Sequence, residues 1–259
     1  MILDEILAQT RQWVAAARER VPLARLEQQL ALAPPVRDFC AALRGQPAPA
    51  CIAEFKRRSP SKGWINRDAD AAVVARAYQA AGAAAISVLT DGPFFGGSLD
   101  DLSRARAVVD IPVLRKDFII DPYQVAEARA AGADALLLIV SALRQEDLVA
   151  LLAEIRRLGM EALVETHDRH EVERAAAAGA RVIGVNHRDL RTFQMDMSLA
   201  ATMRPLVPSD RLLVAESGIR TADDMVKMQQ AGVDAALVGE SLMCDPDPGS
   251  ALRRLLGRP

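Results

Sequence analysis

Cysteine is scarce. Cys40, Cys51 and Cys244 are the three among 259 residues. They are widely spaced and form no C-x-x-C pair, so a disulfide framework is not expected and a reducing cytoplasm is. Aromatic residues make up only 4%, which leaves few stacking platforms for single-stranded nucleic acid. Neither sign of charge dominates. The formal net charge is -2, with no polybasic run, so neither nucleic acid nor an anionic membrane is an expected partner. No apolar stretch approaches the ~18–20 residues of a membrane-spanning helix. The opening MILDEILAQTRQWV carries acids where a secretory signal carries a basic stretch and an apolar run. What the sequence does have is apolar mass. Hydrophobic residues reach 51% and charged residues 25%, enough to build one large core. The length suits a closed α/β barrel of about 250 residues.

Internal repetition points the same way. Four segments share an Ala-rich helical run, a glycine and a short apolar run: YQAAGAAAISVL at Gly82, ARAAGADALLLIV at Gly132, AAAAGARVIGVN at Gly179 and MQQAGVDAALVG at Gly232. Each glycine reads as a helix C-cap and each apolar run as a strand buried on both faces. The spacing is about twice that of one βα unit in an eight-unit barrel. Intervening apolar runs complete the set, giving strands at 51–56, 85–89, 111–116, 135–140, 161–165, 182–186, 211–216 and 235–239. Eight strands alternating with helices predict a (β/α)₈ barrel. A doubly wound sheet is the alternative, but SPSKG after the first strand lacks the Gly-rich dinucleotide fingerprint. The reading is one domain over 1–259, of which 1–47 is an N-terminal helical extension. Leu3, Ile6, Leu7, Val14 and Ala17 fall at helical spacing, and LRGQPAPA (43–50) reads as a loop. Pattern alone leaves open whether the extension covers the mouth or closes the bottom.

In such a barrel the chemistry sits at the C-terminal ends of the strands. Those ends are rich in polar and ionisable groups: Glu54 and Lys56, Lys116, Glu165, Asn186 and Arg188, Glu216 and Ser217. Strand alternation puts Glu54 and Lys56 on one face. Such groups on apolar strands are costly unless paired or used, so a structural ion pair stands beside a catalytic role. Lysine usage adds a clue. Of 32 basic residues only Lys56, Lys62, Lys116 and Lys227 are lysines, three of them at or just beyond strand ends one and three. A confined lysine can shift towards neutrality and give up a proton, whereas arginine cannot. Gly218 and Gly239, after strands seven and eight, stand where barrel enzymes often bind phosphate through uncovered backbone N–H groups, although a tight turn explains a single glycine as well. Glu240 beside them would repel phosphate, so its side chain is expected to point away. His167, His170 and His187 raise a weaker metal reading. His187 follows Asn186 and should face away from the mouth.

Taken together, IAEFKRRSPSKG (52–63), LTDGPFFGGSLDDL (89–102), PVLRKDFIIDPYQV (112–125), LVETHDRHEVERA (163–175), IGVNHRDLRTFQMD (183–196), VAESGI (214–219) and LVGESLM (237–243) resemble the successive signatures of the indole-3-glycerol-phosphate synthase family. They run in family order across nearly the whole chain. SPSKG and RKDFI are the more specific blocks. The resemblance implies ring closure, decarboxylation and dehydration of 1-(2-carboxyphenylamino)-1-deoxyribulose 5-phosphate, with no cofactor and no metal. It implies Lys116 as general acid, Glu165 as base of the dehydration, and Glu54 and Lys56 as orienting groups, with Lys56 a candidate proton donor. Asn186 and Arg188 would hold hydroxyls or anionic groups, with Ser59 in the first loop. Phe95, Phe118, Leu137 and Leu190 would wall the aromatic pocket. Glu216 would join the substrate site, and Ser217, Gly218, Gly239 and Glu240 would form the phosphate and ribulose end.

The resemblance also tips residues 1–47 towards a lid over the mouth. The expected partner is a small anionic sugar phosphate, and the expected assembly a monomer or weak homodimer. Three departures from the family are visible. Phe55 replaces a more usual aliphatic residue and should face the helices. His187 stands where a second Asn is frequent, and Glu240 where a small residue also occurs. The rival readings are a phosphate-binding barrel isomerase, a non-catalytic descendant that binds anions, and a zinc hydrolase built on the three histidines.

Overall fold

Pleated backbone alternates its side chains, and here that alternation has a floor, a core and a roof. The computed structural model describes residues 2–189, 192 and 194–258. Its barrel strands are β1 (Ala50–Phe55), β2 (Ala85–Leu89), β3 (Val113–Lys116), β4 (Ala135–Ile139), β5 (Glu161–Thr166), β6 (Val182–Asn186), β7 (Leu212–Glu216) and β8 (Ala235–Val238). Each pairs in parallel with its neighbours in chain order, and β8 returns to β1 to close the barrel. This is the expected (β/α)₈ architecture, with every strand boundary within two residues of expectation. β3 starts late because Pro112 has no N–H for the ladder; its carbonyl still accepts from Ile86 N at 2.9 Å. A short hairpin (Arg58–Ser59 with Gly63–Trp64) stands in the loop after β1.

The four repeat glycines act as expected. Gly82, Gly132, Gly179 and Gly232 have φ between 73° and 98°, a left-handed turn that ends each helix and starts the next strand. Two repeats also carry an aspartate two residues on. Asp134 accepts Val113 N at 2.8 Å, and Asp234 accepts Leu213 N at 2.7 Å. Each thus ties the start of its own strand to the start of the previous one.

Outward residues pack under the helices. Cys51, Ala53 and Phe55 of β1 join that outer core, as do Leu136, Leu138, Ile183 and Val185. Phe55 therefore faces the helices as the alternation predicts. Arg115 is the exception to an apolar outer layer. It is only 1% exposed, and its guanidinium donates to Asp117, Glu127 and the Gln124 carbonyl at 2.9–3.0 Å. Asp117 in turn accepts from Thr90 and from Phe118 N. This network fixes the backbone on both sides of Lys116.

The N-terminal extension does two jobs. It forms α1 (Ile2–Arg20), α2 (Leu23–Leu30) and α3 (Phe39–Arg44). Ile6, Leu7, Val14 and Ala17 of α1 are buried at the expected spacing. Ile2, Leu3 and Ile6 reach the cavity at the mouth. The expected loop from 43 is corrected: Leu43 and Arg44 complete α3, whose N-cap Asp38 accepts from Ala41 N. Phe39 and Leu43 pack with Ile52, Leu114 and Val214 in the barrel interior, and Cys40 Sγ lies 3.2 Å from Glu161 at the strands' N-terminal end. α3 thus closes the bottom while α1 lies across the mouth. Phe39 is 1% exposed. Phe39→Ala is expected to lower unfolding stability by about 3–5 kcal/mol, read as a lower denaturant midpoint at unchanged slope. A loss under ~1 kcal/mol would show that α3 is not a structural plug.

Candidate active site

The inward-facing positions run in layers. Ala50, Ala135, Val182, Leu212 and Ala235 come first. Ile52, Leu114, Leu137, Leu163, Val214 and Leu237 lie near the middle. Two residues further along, the same face carries Glu54, Lys116, Glu165, Asn186 and Glu216. On these five strands the period-2 pattern therefore turns from apolar to polar or ionisable at the mouth. All five line one cavity, together with Lys56, Ser59, Phe95, Phe118, Leu137, Arg188, Ser217, Gly218, Gly239 and Glu240. Every candidate catalytic, substrate-binding and phosphate-binding residue named from the sequence is thus brought together there except Leu190, which lies outside the described residues.

Lys116 is the hub. Its Nζ lies 3.3 Å from Glu165 Oε2 and 3.5 Å from Glu216 Oε2. Asn186 Nδ2 donates to Glu165 Oε1 at 3.2 Å. Beside them Lys56 Nζ and Glu54 Oε1 are 2.7 Å apart. Glu54, Glu165 and Glu216 are each at most 4% exposed. So the ionisable groups are paired, and they also face the cavity. The structural and catalytic readings coexist.

Two glycines make room for this. A Cβ on Gly239 would stand 2.4 Å from Glu54 Oε1, and one on Gly184 2.2 Å from Glu216 Oε1. Gly239 thus has a packing reason beside the anion-binding one inferred from sequence. Gly184 was missed, although its place two residues before Asn186 on the same strand face was a usable signal.

The charges set each other's titration. Burial by itself would push Lys116 down, but the Glu165, Glu216 and Glu54 carboxylates outweigh it and hold the ammonium well above its ordinary value. The expected drift towards neutrality is therefore corrected, because three carboxylates from different strands converge on the ammonium. Burial also opposes ionisation of Glu165, yet Lys116 and His167 keep it below the usual carboxylate range. Glu216 goes the other way, raised by burial and by the Glu165 anion. Two carboxylates facing one ammonium titrate as a unit, with the proton favoured on Glu216.

The far end of the mouth is cationic. Glu240, whose side chain was expected from the sequence to point away, instead faces the site. Its carboxylate lines the cavity and lies 3.5 Å from Lys62, 3.9 Å from Arg188 and 4.0 Å from Arg220. Three cations provide the counter-charge that makes this orientation favourable. Arg188 also donates to Ser61 Oγ at 3.2 Å, tying the β6 end to the first loop. Ser217 and Gly218 follow β7 with φ of 66° and 81°. That conformation strains a serine. His187 Nδ1 meets the Ser217 carbonyl at 3.0 Å, which requires the Nδ1–H tautomer. Burial pushes His187 below its ordinary value, consistent with a neutral ring. His187 is 1% exposed and does not line the cavity, as expected.

The opposite wall is apolar. Phe95 and Phe118 stand 6.1 Å apart between ring centres, with Leu137 below and Ile2, Leu3 and Ile6 above. The histidines serve separate partners. His167 lies against Glu165 and Glu171, His187 against Ser217, and His170 is exposed. Among the described residues no group of three or more His, Cys, Asp or Glu side chains is placed to hold a metal ion.

The surroundings of known proteins agree with this geometry. Residues 3–255 match the family described as indole-3-glycerol phosphate synthase. The indole-3-glycerol phosphate synthase 2 of Streptomyces coelicolor is 54% identical over 256 residues, covering 99% of both chains. The indole-3-glycerol phosphate synthase of Rhodopirellula baltica is 46% identical, covering 98% of both. A crystal structure of 3-hexulose-6-phosphate synthase superposes with a TM-score of 0.62 at 15% identity, over 80% of this chain and 98% of that one; it supports the fold alone. With a family match along almost the entire length and relatives near half identity, the chain belongs to the indole-3-glycerol phosphate synthase family.

Proposed function

We propose that the chain converts 1-(2-carboxyphenylamino)-1-deoxyribulose 5-phosphate into indole-3-glycerol phosphate, carbon dioxide and water. The observation that carries this reading is the Lys116 ammonium held between Glu165 and Glu216 at the floor of a cavity with one apolar and one cationic wall. The substrate has matching parts. Its aromatic ring suits Phe95, Phe118 and Leu137, and its phosphate suits the end formed by Ser217, Gly218, Gly239, Arg188 and Arg220. Glu240 would act there through its backbone N–H and through the cations that it gathers.

The ring carbon bearing the carboxylate attacks the ribulose carbonyl, and the carbonyl π pair takes a proton from Lys116. Carbon dioxide then leaves, and its bonding pair restores the aromatic ring. In the last step the new hydroxyl leaves as water with a proton from Lys56, while Glu165 removes the proton from the carbon next to nitrogen. One proton is given and one taken, so the dehydration balances. Glu54 orients Lys56, and Asn186 orients Glu165. No step calls for a cofactor. Residues 1–47 belong to the same single barrel domain in this reading, with α1 as a lid over the ring. A cytoplasmic setting and a monomer or weak homodimer complete the proposal.

The test is indole-product fluorescence with this substrate. Wild-type turnover is expected to survive a chelator and to fall by ~10² or more in Lys116→Ala. A folded wild type without turnover would reject the reading. Gly184→Ala provides a second test. Its Cβ would displace the Glu216 carboxylate, the far end of a flexible side chain. The variant should therefore fold normally while kcat falls about 10- to 100-fold through misplacement of the charged layer. Wild-type kcat in the folded variant would show that Glu216 does not help to place Lys116.

A further inference from the structure

Next to Glu165, but outside the cavity lining, stands a histidine that takes no part in the steps above. His167 lies two residues past Glu165, just beyond the end of β5, and so continues the face that carries Glu165. Its Nε2 is 3.3 Å from Glu165 Oε1. Its Nδ1 is 3.2 Å from Glu171 Oε2, and its main-chain N–H donates to the same oxygen at 2.8 Å. Glu171 is itself anchored in the first turn of the helix Arg169–Ala177, where its N–H donates to the N-cap Asp168. Both ring nitrogens therefore face carboxylates. A neutral imidazole would present a lone pair to one of them, whereas an imidazolium sets a positive charge beside both.

The charge around Glu165 shows why this matters. On the cavity side β1, β5 and β7 supply Glu54, Glu165 and Glu216, against Lys56 after β1 and Lys116 on β3. β6 adds only the neutral Asn186. With the proton favoured on Glu216, the ionised Glu54 and Glu165 balance Lys56 and Lys116. When Lys116 passes its proton to the substrate, its charge is lost and the anions are left in excess. Glu165 would then collect a proton too early and could not act as base in the dehydration. We propose that His167 is a positioning residue which, as an imidazolium braced by Glu171, keeps Glu165 ionised and correctly aimed after Lys116 has given up its proton. This role rests on the synthase reading.

The electrostatics support the geometry. Burial would lower His167, but Glu165 and Glu171 outweigh it and raise the ring from its ordinary 6.5 to about 10. A raised histidine contributes its favourable interaction fully below pH 6.5, and that contribution is lost as pH rises through about 10. Conversely, removing a cation beside a carboxylate raises the carboxylate's pKa, so as pH falls the activity that depends on an ionised Glu165 should be lost earlier than in wild type.

Two conservative variants test this. His167→Gln keeps a side-chain N–H but no charge; Glu171→Gln keeps the histidine but weakens its brace. Both are first checked for native circular dichroism and thermal unfolding. In His167→Gln the acidic limb of the kcat profile should move up by about one to three pH units, with KM changed less than about 2-fold, since His167 is not in the cavity. In Glu171→Gln the imidazolium should lose its proton at lower pH. A readout independent of turnover is the NMR titration of the His167 ring. In wild type it should remain an imidazolium through pH 8, and in Glu171→Gln it should titrate lower. A wild-type ring that titrates at or below 6.5 overturns the proposal. So does a parallel fall of kcat and increase of KM in His167→Gln with unmoved limbs. If wild type fails to turn over the substrate while the ring titrates high, the reaction assigned to the site is wrong, and the role falls with it although the ion pair stands.

Discussion

A closed barrel has no room at its mouth for uncompensated charge, and everything around the cavity is arranged about the Lys116 ammonium between Glu165 and Glu216. Each buried ion costs several kcal/mol in lost hydration. A contact at about 4 Å returns about 4 kcal/mol at an effective dielectric of ~20. These terms are of similar size, so the cluster is no obvious source of stability. Its position in the layer that faces the cavity, rather than deeper among Ile52, Leu114 and Leu163, is where such a neutral balance is useful. The apolar layer beneath and the α3 plug below supply the stability that the charged layer does not.

This dependence spreads outward. Lys116 is aimed by a backbone that Arg115 clamps from the other face through Asp117 and Glu127. Glu165 is aimed by Asn186 from β6. Glu54 and Glu216 occupy space left by the glycines of neighbouring strands. At the far end Glu240 gathers Lys62, Arg188 and Arg220, three cations that would otherwise repel one another. The first loop, the β6 end and the start of the last turn are thus joined electrostatically before any anion arrives.

Much of this was legible in the sequence. The barrel followed from eight apolar runs and four repeat glycines, because buried parallel strands and left-handed turns are specified locally. The shared face of Glu54 and Lys56 followed from strand alternation in the same way. What was not legible depended on contacts between distant segments. α3 did not announce itself, because the burial of Phe39 and Leu43 is decided by strand residues elsewhere in the chain. The upward shift of Lys116 needed carboxylates from β1, β5 and β7 at one point. The orientation of Glu240 needed cations from three loops. His167 was weighed as a metal ligand, when its spacing from Glu165 already placed it on that residue's face.

The missing side chains at Gly184 and Gly239 carry a consequence for how such a site can change over generations. Each glycine is the empty half of a pair whose other half is a carboxylate on the adjacent strand. A larger residue at either glycine forces its partner aside, while a shorter partner would leave a hole at the level of the charged layer. The pairs Gly184 with Glu216 and Gly239 with Glu54 should therefore show strong epistasis. Drift at one position is open only after, or together with, drift at the other, and the charged layer is held in place by a ratchet of shape as much as by the chemistry proposed for it.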